Sequence, residues 1–376
     1  MIARSLIAAA LLLCVGGARA ADAIFHNIRW PRHDKTTGVL DWELRARTAE
    51  PAIASDQYTC TDPELVVYKL EEKDARMRTR KDLFLRADSG TYLHGQAKAS
   101  AKLAGRVAIE LYGEELTRLK TDEATIDTTW DKEKNVRTRT IKTRSRVTME
   151  SESRGLVGDG MTIFQRTIAD GVEDKSMVTV HRNVTMELRG AATAGALPTI
   201  PGAERTAKET TEPVRITCLG PVAFDRLANV AAFHDQVALA SAGTTLHCDA
   251  LTLTFAQDQR EERNKKAKKK SADKADKETK DKETKDKKAK DEKKPGPELK
   301  GVVAENNVAI IGKDQRFSGD RFVWDPAGKV GTLTGKPATM TGAGTRARAG
   351  KIELDQETQT VIYTGDAVVE IELKTE

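Results

Sequence analysis

The chain has 376 residues, of which 5% are aromatic and 32% charged, a thin supply of apolar side chains for one large globular core. The formal net charge of +5 comes from one tract: Glu261–Lys294 holds sixteen basic and ten acidic residues, so the remainder carries −1. That distribution removes the basic face a nucleic-acid-binding protein needs, and the composition favours an elongated repeat in which each unit buries a modest strip against its neighbours.

Residues 1–20 read as a signal peptide. Arg4 supplies the positive start, Leu6 to Val15 is apolar, and Ala18-Arg19-Ala20 has the small-x-small form of a cleavage site. The apolar run falls short of the ~20 residues a helix needs to span a bilayer. Leu13 before Cys14 is too large for a lipoprotein site. Cleavage after Ala20 would leave Cys60, Cys218 and Cys248, an odd number and too few for a disulfide scaffold.

Two short phrases then alternate along the chain. The first runs apolar, any residue, small residue, Asp or Gly, followed by alternating apolar positions. It occurs at Leu85–Asp88, Leu119–Asp122, Leu156–Asp159, Leu246–Asp249, Phe317–Asp320 and Ala347–Gly350. The second is a polar or Gly pair followed by Val or Ala and another apolar residue. It occurs at Gly105–Ile109, Arg182–Met186, Asp235–Leu239, Asn306–Ile310 and Gly365–Val369. Asp225 to Asp235, Asp325 to Gly335 and Asp355 to Gly365 are each ten residues apart, and Ile216 to Leu246 and Phe317 to Ala347 are each thirty. Period-two alternation bounded by Gly, Asp and Asn predicts strands and turns. Two strands per ~30-residue unit, repeated, predict a stack with a continuous core. In this reading the Asp of the first phrase starts a strand by hydrogen bonding a turn.

Two interruptions divide the chain. Residues 191–213, rich in Ala, Thr, Gly and Pro, read as a linker. Residues 259–297 are almost wholly Lys, Asp, Glu, Ala and Thr, and are expected to be a disordered or lone helical insertion at a loop tip. The predicted layout is therefore a first β-repeat domain over 21–190 and a second over 214–376.

No catalytic spacing stands out, and no enzyme activity, metal or cofactor is expected. Gly331 to Gly335-Lys336 only faintly resembles a phosphate loop, and Pro337 stands where Ser or Thr is required. His247-Cys248-Asp249 contains three ligand types, but successive strand residues point to opposite faces. Cys218 and Cys248 hold equivalent places in successive repeats; with one strand between them they would lie about 9–10 Å apart, too far for a disulfide. Asp88, Asp122, Asp249 and Asp320 could form an acidic ladder of a lyase or calcium-binding solenoid, against the turn role already given. Arg137, Arg139, Arg144 and Arg146 read as a solvated strand face that could also meet lipid phosphates.

These phrases, their order and their spacing resemble the OstA-like lipopolysaccharide transport family. Gly38–Ala46, Leu103–Val107, Leu119–Asp122 and Leu156–Met161 are similar to LptC, whereas Ala304–Ile310, Phe317–Asp320 and Thr332–Ala338 are similar to LptA. The resemblance implies an all-β, elongated antiparallel β-jellyroll or taco whose apolar inside shelters lipid A acyl chains. It implies a periplasmic protein that takes part in outer-membrane biogenesis. Partners would be lipopolysaccharide and other transport proteins joined by edge-strand pairing, with no nucleic acid and a peripheral contact with the inner membrane through the Lys-rich tract conceivable. The groove candidates are the alternating apolar positions Val107, Ile109, Val184, Met186, Val237, Leu239, Leu251, Leu253, Val308, Ile310, Phe322, Trp324, Ile352 and Leu354. The competing reading is a structural or polysaccharide-binding β-solenoid with the same repeats and a filled core.

Overall fold

The computed structural model describes residues 24–371 apart from 34–39, 52–56, 74–75, 95–97, 113–114, 132, 135, 169–172, 190–196, 199–212, 242, 257–297 and 343. The signal segment 1–20, the charged insertion 259–297, and all of the 191–213 linker except residues 197, 198 and 213 lie outside the described residues.

The described chain is an elongated antiparallel β-stack. Its first strands are β1 (Phe25–His33), β2 (Leu40–Pro51), β3 (Gln57–Thr61), β4 (Glu64–Lys73), β5 (Arg76–Arg86), β6 (Ser89–His94) and β7 (Lys98–Tyr112). Then come β8 (Leu116–Asp131), β9 (Val136–Glu150), β10 (Arg154–Thr167), β11 (Glu173–Leu188), β12 (Val214–Cys218), β13 (Val222–Asp225) and β14 (Val230–Ser241). The last are β15 (Thr244–Phe255), β16 (Leu299–Ile311), β17 (Gln315–Asp325), β18 (Val330–Gly342), β19 (Thr345–Asp355), β20 (Thr360–Thr364) and β21 (Val368–Ile371). Some strands are broken in two. β3 and β4 lie end to end along β2, and β5 and β6 lie end to end along β7. Laid side by side between β2 and β7, these halves close a ring of six strands at the N-terminal end. β12 with β13, and β20 with β21, are broken in the same way.

The breaks after β5 and β20 and the bulges of β7, β14, β15, β16 and β17 fall on the two sequence phrases. In β15, Leu246 and Cys248 face inward, and beyond the bulge Leu251 and Leu253 do, so the inward parity slips by one residue. In its neighbour β14, three exposed residues, His234 to Gln236, separate buried Phe233 from buried Val237. Asp235 and Gln236 have φ of 62° and 51°, and the register shifts there. Gly105-Arg106, Asn306-Asn307 and Gly365-Asp366 repeat this left-handed pair, and Asn183 supplies a single such residue. A bulge with an extra residue bends a strand, and Gly, Asn and Asp tolerate left-handed backbone best.

The neighbouring strand contributes the Asp of the first phrase. Asn307 Nδ2 donates to Asp249 Oδ2 at 2.6 Å, Asn183 Nδ2 donates to Asp159 Oδ2 at 2.7 Å, and Arg106 Nη2 lies 2.7 Å from Asp88 Oδ1. These aspartates therefore sit at a corner in the middle of the stack and clasp the bulge beside them, rather than starting strands at hairpin turns as expected. The small residue of the phrase has a reason too. Ala87, Thr121, Gly158, Cys248 and Ala349 point into the inside of the corner, where space is least. A Cβ on Gly158 would lie 2.5 Å from Val180 Cγ1.

The hairpin turns lie elsewhere. Asp225 Oδ1 accepts from the backbone N–H of Leu227 and Ala228, Asp325 Oδ1 from Ala327, and Asp355 Oδ1 from Glu357 and Thr358, all at 2.8–3.0 Å. The ten-residue spacing in the sequence is thus the distance from a hairpin turn to the next corner.

The corner divides the stack into two facing arms. Arm I contains Ile109, Leu239 and Ile310; arm II contains Ile126, Leu253 and Trp324. Trp30 of arm I meets Tyr58 of arm II edge to face, with ring centroids 4.5 Å apart. The stack is continuous across both interruptions, because β11 pairs with β12 and β15 with β16. Leu197 of the linker, 2% exposed, joins the same apolar cluster.

The corner clasp makes a stability prediction. Asn307→Gly loses the bond to Asp249 but keeps an easy left-handed backbone, whereas Asn307→Ala loses both. The Gly variant should cost about 0.5–1.5 kcal/mol, and the Ala variant about 1–2 kcal/mol more, read as shifts in the urea midpoint. Equal losses would mean that the left-handed pair does not hold the corner.

Candidate functional site

The inward side chains form rows that run across strands. In arm I one row begins Trp30, Leu44, Leu65, Leu85, each paired with the next. It continues through Ile109, Leu119, Met149, Leu156 and Met186. It crosses the linker to Ile216, Leu239 and Leu246, crosses the insertion to Ile310, and ends with Phe317, Met340, Ala347 and Val369. At ~4.8 Å per strand this is an apolar track roughly 75 Å long.

All fourteen sequence-predicted groove residues lie in this interior. Val107, Ile109, Val184, Met186, Val237, Leu239, Val308 and Ile310 are on arm I; Leu251, Leu253, Phe322, Trp324, Ile352 and Leu354 are on arm II. Each is at most 2% exposed, and all belong to one contiguous cluster. Gly331 lies in β18, and a Cβ there would come within 2.9 Å of the Phe322 ring and 3.4 Å of Trp324. Its role is to make room for these rings, and the Gly335–Pro337 segment that suggested a phosphate loop is a corner of β18.

Arm II changes character along the molecule. From β14 to β20 its two inward rows are Phe233–Leu251–Ala304–Phe322–Leu333–Ile352 and Ala231–Leu253–Val302–Trp324–Gly331–Leu354, apolar out towards the hairpin turns. From β8 to β13 the deep row Ile126–Ile141–Ile163–Val178–Phe224 is apolar, but the next row outward is Thr128–Arg139–Gln165–Ser176. Arg139 Nη1 is 3.0 Å from Asp82 Oδ2 on arm I and 3.4 Å from Gln165 Oε1. This is an ion pair across the mouth between the arms, with Arg139 itself buried. One row further out lies Trp130, opposite Arg137.

The sequence reading placed Arg137, Arg139, Arg144 and Arg146 on one solvated face, and the structure corrects this. Arg144 and Arg146 are exposed, whereas Arg137 and Arg139 share the inward parity of Ile141 and Thr143. Counting in twos from Ile141 identifies them. The mouth residues Arg32, Asp82 and Trp130 carry no local signal, because their neighbourhood exists only once the arms face each other.

The remaining candidates have structural places. His247 is exposed, Cys248 is buried, and Asp249 is at a corner held by Asn307. Among the described residues no group of three or more His, Cys, Asp or Glu gathers as a metal site. Of the four aspartates that could have formed an acidic ladder, Asp88 and Asp249 are corner clasps, held to Arg106 and Asn307. Cys218 and Cys248 flank β14, one on either side of Val237, and both are free thiols, as is Cys60. Burial pushes Cys60 and Cys218 up to about 11 and Cys248 to about 12.

Residues 18–167 match the family model of LptC-related lipopolysaccharide-assembly proteins. The match ends on the last residue of β10 and takes in the polar mouth. No curated protein matches the chain at a significant level. No helix of the described residues is long and apolar enough to cross a membrane.

The raised thiol values set an expectation. Below about pH 8.5, the ordinary thiol value, both folded and unfolded chains hold neutral thiols, and burial is unopposed. Above it the unfolded chain gains thiolates that the fold excludes, so stability falls as pH rises towards 11–12. At pH 8 the native chain should react with a thiol-specific disulfide reagent at least ~100-fold more slowly than the urea-unfolded chain. Rapid labelling of Cys248 in the native state would mean that the corner opens freely.

Proposed function

We propose that this chain is a non-catalytic, periplasmic lipopolysaccharide-binding component of the transport route to the outer membrane. The observation that carries this reading is the unbroken apolar row from Trp30 to Val369, which crosses both interruptions of the sequence. Acyl chains of lipid A enter between the arms and replace side-chain contacts across the interior. Each CH₂ taken from water contributes about 0.8 kcal/mol, so a few acyl chains outweigh the cross-mouth contacts that must yield. The sugar stays outside, in water. The LptC-related match over 18–167 supports this role for the first part of the chain; the LptA-like character of residues 214–376 rests on the phrases in the sequence.

Edge strands supply the partner surfaces. Among the described residues β1 pairs only with β2, and β20 and β21 pair only with β19. Ile362, Val368, Val369 and Ile371 leave 39–67% of their surface exposed at that last edge. Such edges are templates for adding another strand, here from other lipopolysaccharide transport proteins. In this reading residues 1–20 are a signal peptide whose removal leaves the mature chain in the periplasm.

One observation favours the second reading, a structural β-solenoid of the envelope: the interior is filled by its own side chains, with every candidate at most 2% exposed. A photo-crosslinking amino acid at Ile310, with a control at exposed Arg144, separates the two. Lipopolysaccharide adducts at Ile310 and none at Arg144 are expected. Absence of adducts at Ile310 and at Leu239 and Phe322 in turn would favour the structural solenoid.

A further inference from the structure

On the inner face of arm II the side chains turn from apolar to polar at one level. Ile126, Ile141, Ile163 and Val178 form one row, and about 7 Å further out lies the row Thr128, Arg139, Gln165 and Ser176. Ser176 shares the inward parity of Val178 and Val180 and is only 1% exposed. Its Oγ has no hydrogen-bond partner among the described residues. A buried hydroxyl without a partner is costly, and an alanine would take the same inward place without that cost. Gln165 stands opposite Ser176 in the sheet. Arg139 Nη1 donates to Gln165 Oε1 at 3.4 Å and to Asp82 Oδ2, across the mouth, at 3.0 Å. Those acceptors are engaged, so what Gln165 and Ser176 have left to offer is chiefly N–H and O–H.

The row does not keep this character along the molecule. Arg226 N donates to Ser176 O, and past the hairpin turn Phe255 N donates to Asn229 O. The same level therefore continues as Phe255 paired with Leu299, both buried. Donors line the interior at this level along β8 to β11, and an apolar pair takes their place beyond the turn.

We propose that Ser176 and Gln165 bind the ester carbonyl oxygens at the head of the acyl chains of an amphiphile whose chains lie among the isoleucines behind them. This deepens the lipid-binding reading above and rests on it. A chain that fills the apolar rows brings its first polar atoms to the first polar row outward. An ester accepts hydrogen bonds and donates none, which matches a row whose free capacity is donor; an amide would also need an acceptor for its own N–H. The bound ester satisfies the Ser176 hydroxyl that the empty fold leaves unpaired. Ester linkages are thus read along β8 to β11, while the apolar row beyond the turn meets the chains alone.

The test uses the full mature chain and two probes. One is hexa-acyl lipid A, and the other is a synthetic analogue with the same sugars, phosphates, amides and chain lengths in which ether-linked chains replace the ester-linked ones. Affinities for both are measured with the wild type, Ser176→Ala, Gln165→Met and the control Thr179→Ala, which is on the outward face of β11. The wild type and the control should prefer the ester lipid by about fivefold. Ser176→Ala and Gln165→Met should each shrink that preference and bind the ether lipid as the wild type does. The thermal midpoint of lipid-free Ser176→Ala should be no lower than that of the wild type, because no bond is lost. Equal affinity of the wild type for both lipids would overturn the proposal, as would an undiminished preference in both variants. Equal weakening towards both lipids, or a lowered midpoint for Ser176→Ala, would make the row structural and overturn it as well. Failure of the wild type to bind either lipid would overturn the lipid-binding reading itself, which the ratio between the probes does not test.

Discussion

The constraint on which this fold depends is that its strands must turn a corner in the middle without losing their neighbours. A flat stack of alternating strands has one apolar face, and that face needs a cover. Here the sheet covers itself by bending. The left-handed pairs at Gly105-Arg106, Asp235-Gln236 and Asn306-Asn307 add one residue to a strand and swing its second half over the first. Each non-glycine residue in that conformation costs roughly 1–2 kcal/mol. The cost is offset locally, at Arg106 and Asn307, by the Asp of the adjacent strand, and globally by two inner faces buried in place of one. Because side chains alternate strictly, a slip of one residue at the corner would turn an entire arm inside out. The clasp therefore fixes which side chains become the interior, as well as the bend itself.

This explains which parts of the molecule were legible in the sequence. The alternation within each arm is local, and all fourteen apolar positions taken from it are buried in one cluster. The two phrases were visible as well, but their place in the fold was not. Gly, Asn and Asp serve a hairpin turn and a mid-strand bulge for the same reason, so Asp225 and Asp235 look alike in sequence. Only pairing tells them apart: Asp225 accepts from its own turn, whereas Asp235 is a left-handed residue of the bulge. Arg137 and Arg139 were misplaced because charge suggested solvent, while parity, counted from Ile141, pointed inward. The contacts of Trp30 with Tyr58, Asp82 with Arg139, and Arg32 with Trp130 join strands far apart in the chain, and no periodicity announces them.

The two ends of the interior differ in how they meet water. Along β8 to β11 polar side chains line the mouth, and an ion pair bridges it. Along β14 to β20 the inward rows stay apolar out to the turns. A buried ion pair contributes little net stability, because desolvation consumes much of the Coulombic gain. Asp82 and Arg139 are therefore better understood as aligning the two arms than as holding them shut. The LptC-related match covers most of this polar-mouthed part and ends with β10, so the strands beyond it, including the apolar-rimmed stretch from β14 onward, are the portion of the chain whose character rests on its own residues.

The interior is also even along its axis. Each strand contributes about one inward side chain to each row, and apolar burial is non-directional and scales with area. For a lipid in such an interior, successive positions along the axis would differ little in free energy, since each exchanges one aliphatic neighbour for another: Leu119 for Met149, Leu156 for Met186, Leu239 for Leu246. An even track permits sliding but gives it no direction. Direction has to come from an asymmetry at the ends, and the structure contains one: charged and aromatic side chains gather at the N-terminal mouth, and exposed aliphatic side chains on β20 and β21 mark the other end. A charged and aromatic rim at the first end and an uncovered apolar edge at the second make the two termini of the same uniform track unequal, which a track of identical repeats could not achieve by itself.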